Sequence, residues 1–115
     1  MKLSIFGGAG WVGSAAAFHI GTLGLVDELV LIGRRQNVIE QHVLDLSTAL
    51  APLNVTVKAG TPDDIAGSDV VMNTAGIHQS VLDDPAQTFR QNIELIRATA
   101  ERIEQLCDLA IGGSR

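Results

Sequence analysis

Three glycines near the N-terminus, Gly8, Gly10 and Gly13, carry the spacing G-x-G-x-x-G within the stretch KLSIFGGAGWVGSAAA (residues 2–17). An apolar run ends at Gly7, a glycine-rich turn follows, and a small-residue helix opens at about Trp11. Such a turn can seat the pyrophosphate of a dinucleotide, because each glycine removes an obstacle. Gly8 is expected to let the strand turn sharply, Gly10 to let the backbone approach the phosphates, and Gly13 to let the helix pack on the sheet. Free N–H groups and the dipole at the helix start then attract negative charge. Gly7, Gly8, Ala9, Gly10, Trp11, Val12 and Gly13 are the candidate cofactor-binding residues of this turn. The plain alternative is a tight strand-to-helix turn with no ligand.

The remaining side chains able to do chemistry are scattered. His19 falls in the first expected helix and His42 in the second, where each reads as packed or solvated. His78 falls in the loop beside the expected crevice and is the one histidine worth testing. Asp83 and Asp84 precede Pro85 and read as helix-capping residues rather than an acid pair. Cys107 is the single cysteine, which excludes an intramolecular disulfide, and at a helix end it reads as a small buried hydrophobe. No spacing resembles a metal site. The sequence therefore assigns no catalytic residue and no metal ligand.

Composition bounds what these residues can belong to. At 115 residues the chain is one domain, and with three Phe, one Trp and no Tyr its core must be aliphatic. An aliphatic core with twelve glycines suits a sheet covered by helices on both faces. The formal net charge is −5 and no basic stripe occurs, which argues against nucleic acid as a partner. No apolar run reaches the roughly 18 residues of a membrane span. The N-terminus enters a strand without a basic region and cleavable apolar segment, so the expected compartment is the cytoplasm.

The elements that position the turn follow from periodicity. Strands are expected at 2–7, 28–32, 55–59 and 69–74, the last of them buried, with a fifth starting at Leu109–Ile111 and ended by Gly112 and Gly113. Helices are expected from Trp11 to Leu23, over 38–50, and from the Asp84–Pro85 pair to Leu106, with a turn or short helix at 61–67. The third helix carries the stripe Phe89, Ile93, Ile96, Ala100, Ile103 and Leu106. Alternating strands and helices require parallel pairing and right-handed crossovers. The fold class is thus α/β, a doubly wound parallel sheet of about five strands in the order 3-2-1-4-5, cut short at strand 5. The ligand crevice is expected between strands 1 and 4, lined by the glycine turn and the segment after Thr74.

Several stretches together resemble the N-terminal NAD(P)-binding (Rossmann) domain of the lactate/malate dehydrogenase family. They are GGAGWVGS (7–14), DELVLIG (27–33), VLDLSTAL (43–50), AGSDVVMNTAG (66–76) and the Asn92 of RQNIELI (90–96). The resemblance implies that residues 1–115 form the dinucleotide-binding domain of an oxidoreductase. That enzyme moves hydride between a nicotinamide and a 2-hydroxy or 2-oxo acid, and its substrate domain is absent from this chain. It also implies cofactor contacts at Thr74, Ala75, Gly76 and Asn92.

Departures from the family pattern carry their own expectations. In the family the second strand ends in an acid that accepts from the adenosine ribose hydroxyls; here that place is Gly33, followed by Arg34 and Arg35. A glycine makes room for a 2′-phosphate and an arginine can grip it with two hydrogen bonds. The expected cofactor is therefore NADP, with NAD as the alternative. The family also has a mobile loop with two arginines. Their places fall on Gln79, a substrate-side residue by resemblance, and on Pro85, with Arg90 inside the following helix. The family's proton-relay histidine and its acidic partner lie beyond residue 115. The chain alone is thus expected to be inactive, to meet its 2-hydroxy or 2-oxo acid only with a second domain, and to form homo-oligomers through an exposed strand edge. Two other readings stay open: a stand-alone NADP-binding module without catalysis, and the N-terminal part of a short-chain dehydrogenase/reductase. GGAGWVG, GRR and NTAG echo the latter group, whose Tyr-x-x-x-Lys pair would have to lie elsewhere, since this chain contains no tyrosine.

Overall fold

Strand β1 (Lys2–Phe6) is the axis of the sheet, with Leu3 through Phe6 all buried. It pairs in parallel with β2 (Glu28–Ile32) on one side and β4 (Val70–Asn73) on the other, and β2 pairs with β3 (Thr56–Gly60). The order is β3-β2-β1-β4. The computed structural model describes residues 1–76 and 84–110, with side chains as far as Leu106.

Alternation along the strands divides the side chains between two faces. Leu3, Ile5, Leu29, Leu31 and Val57 enter one core, closed by Ala17 of helix α1 (Trp11–Thr22) and by Ile39, Leu46 and Leu50 of helix α2 (Gln36–Leu50). The spacing of Ile39, Val43, Leu46 and Leu50 marks one helical face; three are buried and Val43 packs partly buried against them. Gly21 lies in the last turn of α1. A Cβ there would stand 2.5 Å from Leu50 Cδ1, so its small size lets the two helices touch. The left-handed Gly24 (φ +69°) ends the helix. A 3₁₀ turn at Ala51–Leu53 carries Pro52, and a second at Pro62–Ile65 opens with a capping box between Thr61 and Asp64.

The second face is more sparsely covered. Phe6, Val30 and Ile32 pack with Ile65 and with Leu106 of helix α3 (Pro85–Ala110). Arg102 reaches Asp63 at 2.9 Å. Three expectations are corrected here. Helix α3 runs through Ala110, so Leu109 and Ala110, expected to open a fifth strand, are helical, and Ile111 lies outside the described residues. The segment from Leu106 to Ala110 contains no glycine or proline to stop the helix, so local propensity prevails over strand formation. The sheet accordingly has four strands among the described residues. Strand β4, expected to be buried, is an edge on which Val70 is 46% exposed. The apolar stripe of α3 reaches the core only near its end: Leu106 is buried and Ile103 partly so, while Phe89, Ile93 and Ile96 are exposed.

The asymmetry predicts a graded response to truncation. Leu31 is fully buried between two paired strands and α2, so Leu31→Ala is expected to cost about 2–5 kcal/mol in urea denaturation. Val70→Ala, at the open edge, is expected to cost less than about 1 kcal/mol in the same measurement.

Candidate functional site

The glycine turn connects β1 to α1 at the C-terminal end of the sheet, where all four described strands finish in register. Register pairs Phe6 with Ile32 on one side and with Asn73 on the other. The chain then bends at Gly7, whose φ of +79° is costly for any residue with a Cβ. This is a correction: the sharp turn belongs to Gly7, not Gly8. Gly8 is glycine for a different reason, since a Cβ there would stand 2.8 Å from Leu31 Cβ on the neighbouring strand.

The amides of Gly7 and Gly8 both donate to Ile32 O, at 2.8 and 3.1 Å, and Gly10 N donates to Gly7 O at 2.9 Å. On the β4 side, Thr74 Oγ1 donates to Phe6 O at 2.8 Å and lies 3.3 Å from Gly7 O. A Cβ on Gly13 would overlap Gly7 O and stand 2.7 Å from Thr74 Oγ1, so the first turn of α1 presses directly on the bend. Gly13 is therefore a packing glycine, as the spacing implied. Gly10 is the open one: the sole atom within 4 Å of a Cβ there, among the described residues, is Gly7 O at 3.3 Å.

Gly10 is also the residue that caps α1, in extended conformation, and it offers no side chain to the helix start. The first turn contains no acid. The positive end of the helix dipole thus has no carboxylate in its own first turn, beside the least crowded glycine of the bend. Trp11 and Val12 flank it and are largely exposed.

The segment after β4 forms the opposite wall. A Cβ on Gly7 would stand 2.8 Å from Ala75 N, and one on Gly76 would stand 3.4 Å from Asn92 Oδ1 of α3. Thr74 and Ala75 therefore lie against the glycine turn, and Asn92 lies beside Gly76. Asn73 helps to shape them by accepting from Ala75 N at 3.1 Å through its Oδ1. The motifs do not single out Asn73, although an Asn at a strand end followed by a turn is the signal of such a side-chain-to-backbone bond.

Gly33, Arg34 and Arg35 follow directly after Ile32, whose carbonyl holds the turn. Both arginines are exposed, neither has an ion-pair partner among the described residues, and Arg35 is the capping residue of α2 without a side-chain cap. His19 is exposed on α1 and His42 half-buried on α2; Arg90 is exposed within α3. Asp84 caps α3, its Oδ1 accepting from Ala86 N at 3.1 Å, and Pro85 is the first helical residue. Gln79, His78 and Asp83 lie outside the described residues, as does the side chain of Cys107. The described residues contain no group of three or more metal-ligating side chains, and no helix among them is long and apolar enough to cross a membrane.

Known proteins share this arrangement. Residues 1–112 match the family described as lactate/malate dehydrogenase, NAD binding domain. An L-lactate dehydrogenase of Pseudothermotoga lettingae is 37% identical over 114 residues, covering 96% of this chain and 36% of that protein. Among solved structures, the minor L-lactate dehydrogenase of Enterococcus mundtii, in a ligands-bound form, has a TM-score of 0.84 at 29% identity, over 91% of this chain and 34% of that one. The malate dehydrogenase of Archaeoglobus fulgidus in complex with NADH has a TM-score of 0.83 at 27% identity, over 93% and 37%. The chain spans about a third of the length of the curated relatives it matches. A parallel sheet in the order 3-2-1-4, a glycine turn braced between its central strands, and matches of this extent lead to one assignment: the chain belongs to the lactate/malate dehydrogenase family, whose NAD-binding domain it matches.

Proposed function

We propose that this chain holds the dinucleotide of a 2-hydroxy-acid dehydrogenase, with the pyrophosphate on the Gly7–Gly13 turn, and that it takes NADP in preference to NAD. The observation that carries the reading is the start of α1: no side-chain cap, no acid in the first turn, and at Gly10 the least crowded position of the turn, where a Cβ would meet only Gly7 O at 3.3 Å. Gly7, Gly8, Ala9, Gly10, Trp11, Val12 and Gly13 would surround the phosphates, and Thr74, Ala75, Gly76 and Asn92 would form the facing wall. When bound, the nicotinamide gives or takes a hydride at the carbon of a 2-oxo or 2-hydroxy acid. This chain's part is to bind and orient the cofactor. The proton-relay group belongs to a substrate domain outside residues 1–115; of the two loop positions that face the substrate in the family, one falls on Gln79, which we place on the substrate side, and the other on Pro85, which offers no cation to the carbonyl oxygen. The NADP preference is supported by Gly33, which leaves the end of β2 without a carboxylate, and by two exposed guanidinium groups next to it. A 2′-phosphate would meet no repulsion there and would find a bidentate donor. The Archaeoglobus relative was solved with NADH, so a cofactor titration is the direct test.

NADP⁺ is expected to bind more tightly than NAD⁺ by roughly 1–3 kcal/mol in calorimetric titration. The difference should vanish in the Arg34→Ala/Arg35→Ala variant. Equal affinities in the unaltered chain would refute the preference. The two packing environments separate a second pair of variants. Gly13→Val should destabilise the fold, since its side chain has no room, and lower the melting temperature by several degrees, about 1 kcal/mol for each 4–8 °C at this size. Gly10→Val should leave the circular dichroism spectrum α/β and abolish dinucleotide binding. Normal binding by Gly10→Val would place the pyrophosphate elsewhere. Finally, the isolated chain is expected to turn over neither pyruvate nor oxaloacetate, and to self-associate through its open β4 edge and the exposed Phe89, Ile93 and Ile96. Spectrophotometric assay and light scattering on one sample check both; an active monomer would contradict both.

A further inference from the structure

Position 33 is glycine for a reason that lies in the core. Its backbone is not left-handed; among the described residues the glycines with positive φ are Gly7, Gly24 and Gly67. A side chain is therefore allowed by the backbone, and what it would meet is the end of one neighbouring side chain, which must shift to admit it. A Cβ at position 33 would stand 2.7 Å from Ile39 Cδ1 and 3.1 Å from Ile39 Cγ1, with no other described atom within 4 Å. Ile39 has little freedom to withdraw. It is 0% exposed, belongs to the same buried cluster as Leu31 and Leu46, and its amide donates to Arg35 O at 3.0 Å in the first turn of α2. Ends of side chains can swing in open space, but a close-packed interior resists even one displaced methyl group.

We infer that Ile39 is a positioning residue for cofactor selectivity, acting through position 33. With isoleucine at 39, the corner cannot seat the carboxylate that would accept from ribose hydroxyls and repel a 2′-phosphate. Arg34 and Arg35 are then the charged groups left beside the adenosine end. The inference rests on the dinucleotide reading above and adds a claim that reading does not contain: the preference is not reversed by changing position 33 alone. Gly33→Asp brings a carboxylate against a buried isoleucine, where it is crowded. Removing Cδ1 (Ile39→Val), or both nearby carbons (Ile39→Ala), frees that volume.

The test is a mutant cycle on the full 115-residue chain: Gly33→Asp, Ile39→Val, Ile39→Ala and the two double variants, each melted and titrated with NAD⁺ and with NADP⁺. Gly33→Asp alone is expected to lower the melting temperature and to weaken NADP⁺ binding without strengthening NAD⁺ binding. In one or both double variants the melting loss caused by Gly33→Asp should shrink. There the ratio of NADP⁺ to NAD⁺ affinity should move toward NAD⁺ by about tenfold, the scale of one charge-assisted hydrogen bond. Ile39→Val by itself should leave that ratio unchanged, which separates positioning from mere destabilisation. Melting losses that simply add in both doubles overturn the packing claim. A ratio that moves as far in Gly33→Asp alone as in the doubles, or in neither, overturns the selectivity claim. An unaltered chain that prefers NAD⁺ refutes the NADP preference, and one that binds neither dinucleotide refutes the dinucleotide reading; the selectivity claim falls with either, while the melting cycle still decides whether Ile39 excludes a side chain at 33.

Discussion

One carbonyl oxygen, that of Ile32, accepts two amide protons, from Gly7 at 2.8 Å and Gly8 at 3.1 Å. The candidate site depends on this pair of bonds. They extend the β1–β2 ladder by one step past Phe6 and turn the chain while it is still fastened to the sheet. They exist only because register places Phe6 opposite Ile32; a slip of one residue would also turn every buried side chain of β1 to the wrong face. From the other side Thr74 holds the same bend through Phe6 O. The approach to Gly10 is thus built from backbone, braced by both neighbouring strands, and does not rely on long side chains that would have to be ordered first.

The two walls of the crevice differ in how firmly they are held. The wall formed by the turn rests on the larger core, where two helices cover the sheet. The wall that includes Asn92 hangs from α3, which touches the sheet's second face mainly through Leu106 and Ile103 at its far end. Its ion pair from Arg102 to Asp63 has an Asp63 side chain 72% exposed and contributes little. At the near end α3 buries Thr88 and is capped by Asp84. Local opening of this protein would begin along α3, leaving the glycine turn intact.

Much of this was legible in the residues. The strand at 28–32 and the helical face of Ile39, Leu46 and Leu50 follow from periodicity alone, because burial on one side fixes both elements. The G-x-G-x-x-G spacing located the turn but misassigned its bend, since Gly7 and Gly8 are adjacent and only tertiary contacts distinguish a left-handed glycine from a crowded one. The end of α3 was hidden for a similar reason. Leu109 and Ala110 suit a short strand or a helix, and only the sheet's need for a further strand argued for the former. Ile39 could be recognised as core but not as the neighbour of Gly33, because that contact joins a strand end to a helix face six residues later.

The central strand is also the first segment of this sequence, and its two partners lie at residues 28–32 and 70–73. During synthesis from the N-terminus, β1 therefore leaves the ribosome long before its second neighbour exists. A nascent chain that has reached β3 can assemble three strands and the larger core, yet it presents one whole side of β1 as unpaired backbone until Val70–Asn73 arrives. Non-local parallel pairing of this kind is slow, and the central strand spends the longest time waiting for its second neighbour. The pace of translation through residues 60–73 thus sets how long the open side of the central strand is exposed to other chains.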